Sequence, residues 1–208
     1  MRLNELFEAR RLIPIVIYAG RFQPFHLGHR QVYDWLTQKF GQDAVHIFTS
    51  NKTEPERSPW TFEDKAKMIM ATGIPADRVH MVANPYKAEE IMRVMGITED
   101  QLKNYKVIYA VGQKDMEDDP RFTFKPKKDG SASYLQPYND RANVSMDQHG
   151  LVIAVPTFTF KVLGKPITSA TDIRNDLASA KTNKNQLLQD LYGANYKAIA
   201  PTVLKVFS

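Results

Sequence analysis

The stretch Ile13-Pro-Ile-Val-Ile-Tyr-Ala-Gly-Arg-Phe-Gln-Pro-Phe-His-Leu-Gly-His29 decides the fold. From Ile13 to Ala19 it is continuously apolar and rich in β-branched residues, the pattern of a strand buried on both faces, and Pro14 is tolerable near its beginning. Gly20 opens a turn. A helix follows with an apolar stripe of Val32, Trp35, Leu36 and Phe40, and Gly41 is its stop.

Further along, the alternation repeats. Ala44 to Thr49 reads as a strand. Thr61 caps a helix with Asp64 at capping-box spacing, and Phe62, Ala66, Ile69 and Met70 form its expected buried stripe. Val79 to Val82 reads as a short strand, Lys87 to Met95 as a helix, and Lys106 to Val111 as a further strand. Strands and helices alternating at this spacing predict an α/β fold, a Rossmann-like open parallel sheet with helices on both faces. Regularity stops at Gly112, and about residues 113–150 read as an irregular polar insertion. Leu151 to Val155 restores a strand, and the chain from Ala170 is mostly helical. Leu3, Leu6 and Phe7 sit at helical spacing within an N-terminal extension, residues 1–12, ahead of one domain covering 13–208.

The chemistry concentrates in Gly20 to His29. Ligands of an open parallel sheet bind beyond the carboxyl ends of its strands, which is where this turn falls. Gly20 and Gly28 let backbone approach a ligand closely. The helix starting near Gly28 turns its N–H groups and positive dipole end on the same spot, a seat for phosphate. His26 and His29 can each donate a hydrogen bond to a phosphate oxygen, and Arg21 adds fixed positive charge. As metal ligands the two histidines lack a third partner and any His-Glu-x-x-His pattern. The Gly-x-Gly-x-x-Gly and Gly-x-x-x-x-Gly-Lys-Ser/Thr cradles are both missing.

A second anion site is expected in Thr168-Ser-Ala-Thr-Asp-Ile-Arg174. Ser169 and Asp172 have capping-box spacing. Thr171 and Arg174 then share the first turn of the same helix, where a hydroxyl, N–H groups and a guanidinium suit a polyphosphate tail.

These motifs resemble the His-x-Gly-His nucleotidyltransferase superfamily. The Arg-Phe-Gln-Pro prefix is most similar to archaeal-type nicotinamide mononucleotide adenylyltransferases. Ser169 to Arg174 is similar to that family's Ser-Gly-Thr-Glu-Ile-Arg, and Ser58 to Lys65 to its Asn-Pro-Phe-Thr-x-x-Glu-Arg. The resemblance implies transfer of AMP from ATP to nicotinamide mononucleotide, forming NAD and pyrophosphate. It implies His26, His29 and Arg174 as catalytic groups. Gly20, Arg21, Phe22, Gly28, Ser169 and Thr171 are the implied ATP and phosphate contacts. Asn51, Lys52, Trp60 and Asp115 are candidates for the acceptor, Trp60 by stacking on a pyridine ring. Mg²⁺ is expected to ride on substrate phosphates, with no protein ligand assigned. Other acceptors, such as phosphopantetheine or a phospho-alcohol, remain open, as does CTP, and so does a non-catalytic nucleotide-binding subunit.

Composition bounds the alternatives. The 208 residues are 43% hydrophobic and 25% charged, ordinary for a globular chain. The net charge of +5 suits a phosphate-bearing ligand. Nucleic-acid binding would call for basic clusters, and the only tight one, Lys125 to Lys128, reads as a solvated loop. With no cysteine there are no disulfides or thiolate metal sites. No apolar run approaches the ~20 residues of a membrane span. Residues 1–12 carry charge throughout, so a cytoplasmic protein is expected, and a homo-oligomer is compatible with the sequence. The 113–150 stretch is expected to be a lid or an assembly surface.

Overall fold

The computed structural model describes residues 11–118, 120–167 and 169–207. The helix expected in the N-terminal extension lies outside these residues apart from Arg11 and Leu12, as does Thr168 of the second motif.

Six parallel strands form one sheet: β1 (Ile13–Ala19), β2 (Val45–Thr49), β3 (Val79–Met81), β4 (Tyr105–Gly112), β5 (Leu135–Pro137) and β6 (Gly150–Val155), in the order β3-β2-β1-β4-β6-β5. The order reverses between β1 and β4, so a crevice opens beyond their carboxyl ends. Alternate residues of β1 feed two cores. Val16 and Tyr18 pack on one face with α1 (Leu27–Phe40), α2 (Phe62–Ala71) and the C-terminal helices. Ile15 and Ile17 pack on the other with residues of α3 (Ala88–Met95). Covering both faces is why β1 reads as an unbroken apolar run. Pro14 is accommodated because pairing with β2 begins only at Val16, leaving Pro14 opposite β4 alone.

The helix boundaries follow the capping residues. Gly41 ends α1 at φ 92°, a conformation costly for any other residue. Thr61 and Asp64 close the expected capping box on α2. The buried stripe of α2 differs from expectation: Asp64, Lys65, Met68 and Ile69 face inward, and Met70 is 40% exposed. The polar pair can face inward because each has partners. Asp64 accepts from Lys205 Nζ at 2.6 Å and from Thr61, and Lys65 Nζ donates to Thr49 Oγ1 at 2.9 Å and to the Ser50 carbonyl.

The stretch after Gly112 holds more order than its sequence advertises. It contains α4 (Gln113–Asp118), a 3-10 turn (Pro120–Thr123) and the edge strand β5. Because β5 runs parallel to β6, the chain returns to the amino end of the sheet before each of these strands. Only the start of the segment and the end of β5 therefore lie on the ligand side. Lys125 to Lys128 are exposed. The hairpin β7 (Lys161–Val162) and β8 (Lys165–Pro166) then leads into α5 (Ala170–Ala178), α6 (Lys184–Tyr192) and α7 (Tyr196–Leu204).

Candidate functional site

The turn after β1 is built by packing. Phe22 is 5% exposed and sits at φ 49°. That left-handed conformation costs on the order of 1 kcal/mol. Edge contacts with Tyr18, Phe25 and His29, each at 5.2 Å between ring centroids, hold it there. A Cβ on Gly20 would lie 2.7 Å from the Phe22 ring, so Gly20 is required by the turn itself. Gln23 closes the base of the turn: its side chain donates to the Trp60 carbonyl at 3.0 Å and accepts from the Trp60 N–H at 3.1 Å.

His26 caps α1. Its Nδ1 accepts from Gly28 N–H at 3.1 Å, which places the ring proton on Nε2. The His26 ring stacks on His29 at 3.9 Å and, on its other side, on Phe160 at 4.6 Å. Gly28 is what admits Phe160, since a Cβ there would lie 2.7 Å from that ring. Burial pushes the His26 pKa well below its usual value, with His29 adding to the effect. Burial likewise lowers His29 to about 4. Both rings are therefore neutral near pH 7, each with one ring N–H that can donate a hydrogen bond. The fixed positive charge comes from arginine.

A cavity of about 360 Å³ opens here. It is lined by Arg21, Phe22, Gln23, His29, Arg57, Arg174 and the first residues of α5. Arg174 donates from Nη1 to the Gln23 carbonyl at 2.7 Å, from Nε to the Glu56 carbonyl at 3.0 Å, and from Nη2 to Thr171 Oγ1 at 3.0 Å. Three of its five N–H groups are thus taken, and two remain for a ligand. Its pKa is lowered by burial first and by Arg21 second. Thr171 Oγ1 accepts from Arg174 and keeps its own proton to donate. Ser169 is different: its hydroxyl donates to Asp172 Oδ2 at 2.8 Å and accepts from Asp172 N–H at 3.2 Å, so it serves α5 as a cap. Among the described residues the lining contains three arginines and no carboxylate, a charge balance that suits an anion.

The expected acceptor residues separate. Trp60 is fully buried, donates from Nε1 to the Val203 carbonyl at 3.2 Å and packs on Phe207. No ring face is left for a ligand, so the stacking expectation is corrected: Trp60 is a core residue joining α7 to the loop after β2. Asn51 Oδ1 accepts from Phe62 N–H at 2.8 Å, and Lys52 pairs with Glu54 at 3.0 Å. Both line a hollow beyond β2 and β3 rather than the anion cavity. Asp115 alone of the four lines a second cavity of about 300 Å³ at the carboxyl ends of β1, β2 and β4. Arg21 lines both cavities.

Three contributors escaped the sequence. Arg57 lies in a loop of mixed charge, where nothing separates it from Lys52 or Glu56. Phe160 sits in an unpatterned hairpin 134 residues from its partner His26, by the numbering. Lys65 is fully buried behind the second cavity, where burial lowers its pKa to about 8, yet it reads as the solvated residue of an amphipathic helix. Among the described residues no three His, Asp or Glu side chains could hold a metal, and no helix is long and apolar enough to cross a membrane.

The family model described as cytidylyltransferase-like matches residues 17–176. A nicotinamide-nucleotide adenylyltransferase of Saccharolobus solfataricus is 29% identical over 73 residues, 33% of this chain and 42% of that protein. Nicotinamide-nucleotide adenylyltransferase 1 of Sulfolobus acidocaldarius is 34% identical over 53 residues, 26% of this chain and 30% of that protein. The matches thus span less than half the length of these relatives. Among solved structures, the Plasmodium falciparum nicotinic acid mononucleotide adenylyltransferase complexed with NaAD superposes with a TM-score of 0.52 at 13% identity, covering 94% of this chain and 98% of that one. At that identity the likeness speaks for the fold.

Proposed function

The chain belongs to the cytidylyltransferase-like family, and we propose that it transfers AMP from ATP to nicotinamide mononucleotide, forming NAD and pyrophosphate. The observation that carries this reading is the first cavity. It gathers Arg21, Arg57, Arg174, the neutral His29 and the Thr171 hydroxyl at the amino ends of α1 and α5, with no carboxylate among the described lining residues. Such a site suits a polyphosphate, and the names of the Saccharolobus and Sulfolobus relatives supply the acceptor.

In this account an acceptor phosphate oxygen attacks the α-phosphorus of ATP in line. The new P–O bond forms as the bond to the β-phosphate breaks, and that electron pair leaves on pyrophosphate. Catalysis is mainly positioning and charge neutralisation. The Nε2–H of His26 and the ring of His29 donate to oxygens around the α-phosphorus. Neutral donors suit this task, because a dipole fixed by stacking needs no reorganisation as charge builds. Arg174 and Thr171 hold the β- and γ-phosphates, and Arg57 faces the same groups from the loop after β2. Arg21, shared by both cavities, stands where the two substrates' phosphates meet.

Mg²⁺ fits this lining as a passenger on ATP, because the described lining residues offer no hard anionic oxygen. Bound to the phosphates, it would neutralise charge on the leaving group.

The family's description favours CTP as the second reading. A panel of ATP and CTP against nicotinamide mononucleotide, phosphopantetheine and a phospho-alcohol, read by pyrophosphate release, separates them. The proposal expects the ATP and nicotinamide mononucleotide pair to exceed every other by at least about tenfold, a margin of about 1.4 kcal/mol. A larger rate with any other pair overturns it.

A further inference from the structure

Aiming the Nε2–H of His26 takes two constraints, one on the edge of the ring and one on its plane. The hydrogen bond from Gly28 N–H to Nδ1, at 3.1 Å, sets which edge faces the helix. One hydrogen bond still leaves the plane free to tilt. Stacking sets the plane, on His29 at 3.9 Å and on Phe160 at 4.6 Å, both with an interplanar angle of 27°. The two sides differ in their backing. His29 is itself held by Phe22 and Phe25, each at 5.2 Å between ring centroids, so that side belongs to the core. On the other face, Phe160 is the ring contact that the described residues supply.

The chain delivers Phe160 from outside the two anion motifs. It follows Pro156 to Thr159, a segment without regular structure after β6, and leads into the β7–β8 hairpin. Its carbonyl accepts from Ile167 N–H at 3.1 Å. The hairpin is pinned just beyond, with Val162 in the core and Leu163 N–H donating to Asp190 Oδ2 of α6 at 2.8 Å. Backbone anchored in this way presents the ring at a fixed height over Gly28, where a Cβ would lie 2.7 Å from it. His26 is left 7% exposed, and burial, with His29 beside it, holds its pKa well below the usual value. The segment Pro156 to Phe160 brings no titratable group to it. Resting on the ATP reading above, we infer that Phe160 is a positioning residue for the transfer, its flat ring holding the His26 imidazole in the plane from which Nε2–H reaches the α-phosphate oxygens.

A donor that works only in the transition state shows its loss in kcat rather than in KM. The test measures kcat and KM for ATP, with saturating nicotinamide mononucleotide, in the unchanged protein and in Phe160→Ala, Phe160→Leu and Phe160→Tyr. Alanine removes the ring, and leucine fills volume without a flat face, so both should lower kcat by about tenfold while KM for ATP stays within about threefold. Phe160→Tyr keeps the flat ring and should keep kcat within about threefold. In NMR titrations the His26 pKa should rise toward its usual value in Phe160→Ala, where the ring is uncovered, and stay low in Phe160→Tyr. The inference is overturned if Phe160→Ala keeps the full kcat, or if Phe160→Leu restores it, since filled volume then suffices. A clearly lower KM for ATP in Phe160→Ala overturns it too, because Phe160 would then be a cover that ATP displaces. If Phe160→Ala does not fold, the leucine and tyrosine pair decides by the same criterion. Absence of product in the unchanged protein would instead defeat the transfer reading, and this inference with it.

Discussion

Replacing Arg174 separates its two kinds of work. In the free protein it ties three pieces of backbone and side chain together: the Gln23 carbonyl, the Glu56 carbonyl and Thr171 Oγ1, at 2.7, 3.0 and 3.0 Å. Its two remaining N–H groups are what a β- or γ-phosphate can use. Hydrogen bonds to charged groups contribute about 1.5–3 kcal/mol each, and this partly exposed site belongs at the lower end. Loss of one bidentate phosphate contact then costs about 2–3 kcal/mol, or about 30- to 150-fold in the Kd for ATP. AMP lacks those phosphates, so its Kd should change by less than about threefold. The two carbonyls freed by Arg174→Ala can turn to water, so the stability lost should stay near about 1 kcal/mol. Arg174→Lys keeps the charge, but one ammonium cannot reach both carbonyls and a phosphate, so ATP should weaken by about tenfold. Titration calorimetry with ATP and AMP on all three proteins reads this directly. Equal losses for both nucleotides would mean that Arg174 only fastens the loops.

The ring column at the start of α1 gives three further predictions. Burial holds His29 at about 4 and pushes His26 well below its usual value, so their NMR signals should not titrate near 6.5 in the free protein; bound ATP should raise both pKa values, and a titration near 6.5 without nucleotide refutes the neutral-donor account. Because the unfolded chain takes up these protons first, their contribution to stability is complete above about 6.5 and lost as pH falls toward about 4, and His29→Gln should flatten that part of the melting curve against pH. Gly28→Ala should destabilise by about 1–3 kcal/mol through collision with Phe160, and in a double-mutant cycle the same change should be milder when Phe160 is already alanine; strictly additive effects would show that the two do not touch.

Local signals carried much of the fold. The unbroken apolar run of β1, the Gly41 stop and the Thr61–Asp64 box are each decided within a few residues, and each appears as expected. The turns that carry the two expected anion motifs were legible for the same reason, since a glycine-bearing turn and a helix start are local chemistry, whereas the His26 cap on α1 was not foreseen. What the sequence concealed depends on distant partners. Lys65 lies inward because Thr49 and Ser50 receive it, and Asp64 because Lys205 arrives from the far end of the chain. Trp60 looked like a ligand platform because its partner, the Val203 carbonyl, is 143 residues away. β5 was hidden in a polar stretch because an edge strand of three residues has no room for a pattern. Arg57 is placed by the loop closure between Glu54 and Ser58, whose paired backbone hydrogen bonds leave no compositional trace.

The central claim, that this cavity passes AMP from ATP to a nicotinamide mononucleotide phosphate, is tested most directly by ³¹P NMR of the protein with ATP, Mg²⁺ and nicotinamide mononucleotide. The account predicts that pyrophosphate and the paired diphosphate signals of NAD grow at equal rates as ATP and the acceptor phosphate decline. It also predicts that His29→Ala slows this exchange by about 100-fold or more, the scale set by a lost transition-state donor. Pyrophosphate appearing with free AMP, or no diphosphate product from a folded, ATP-binding protein, would contradict it.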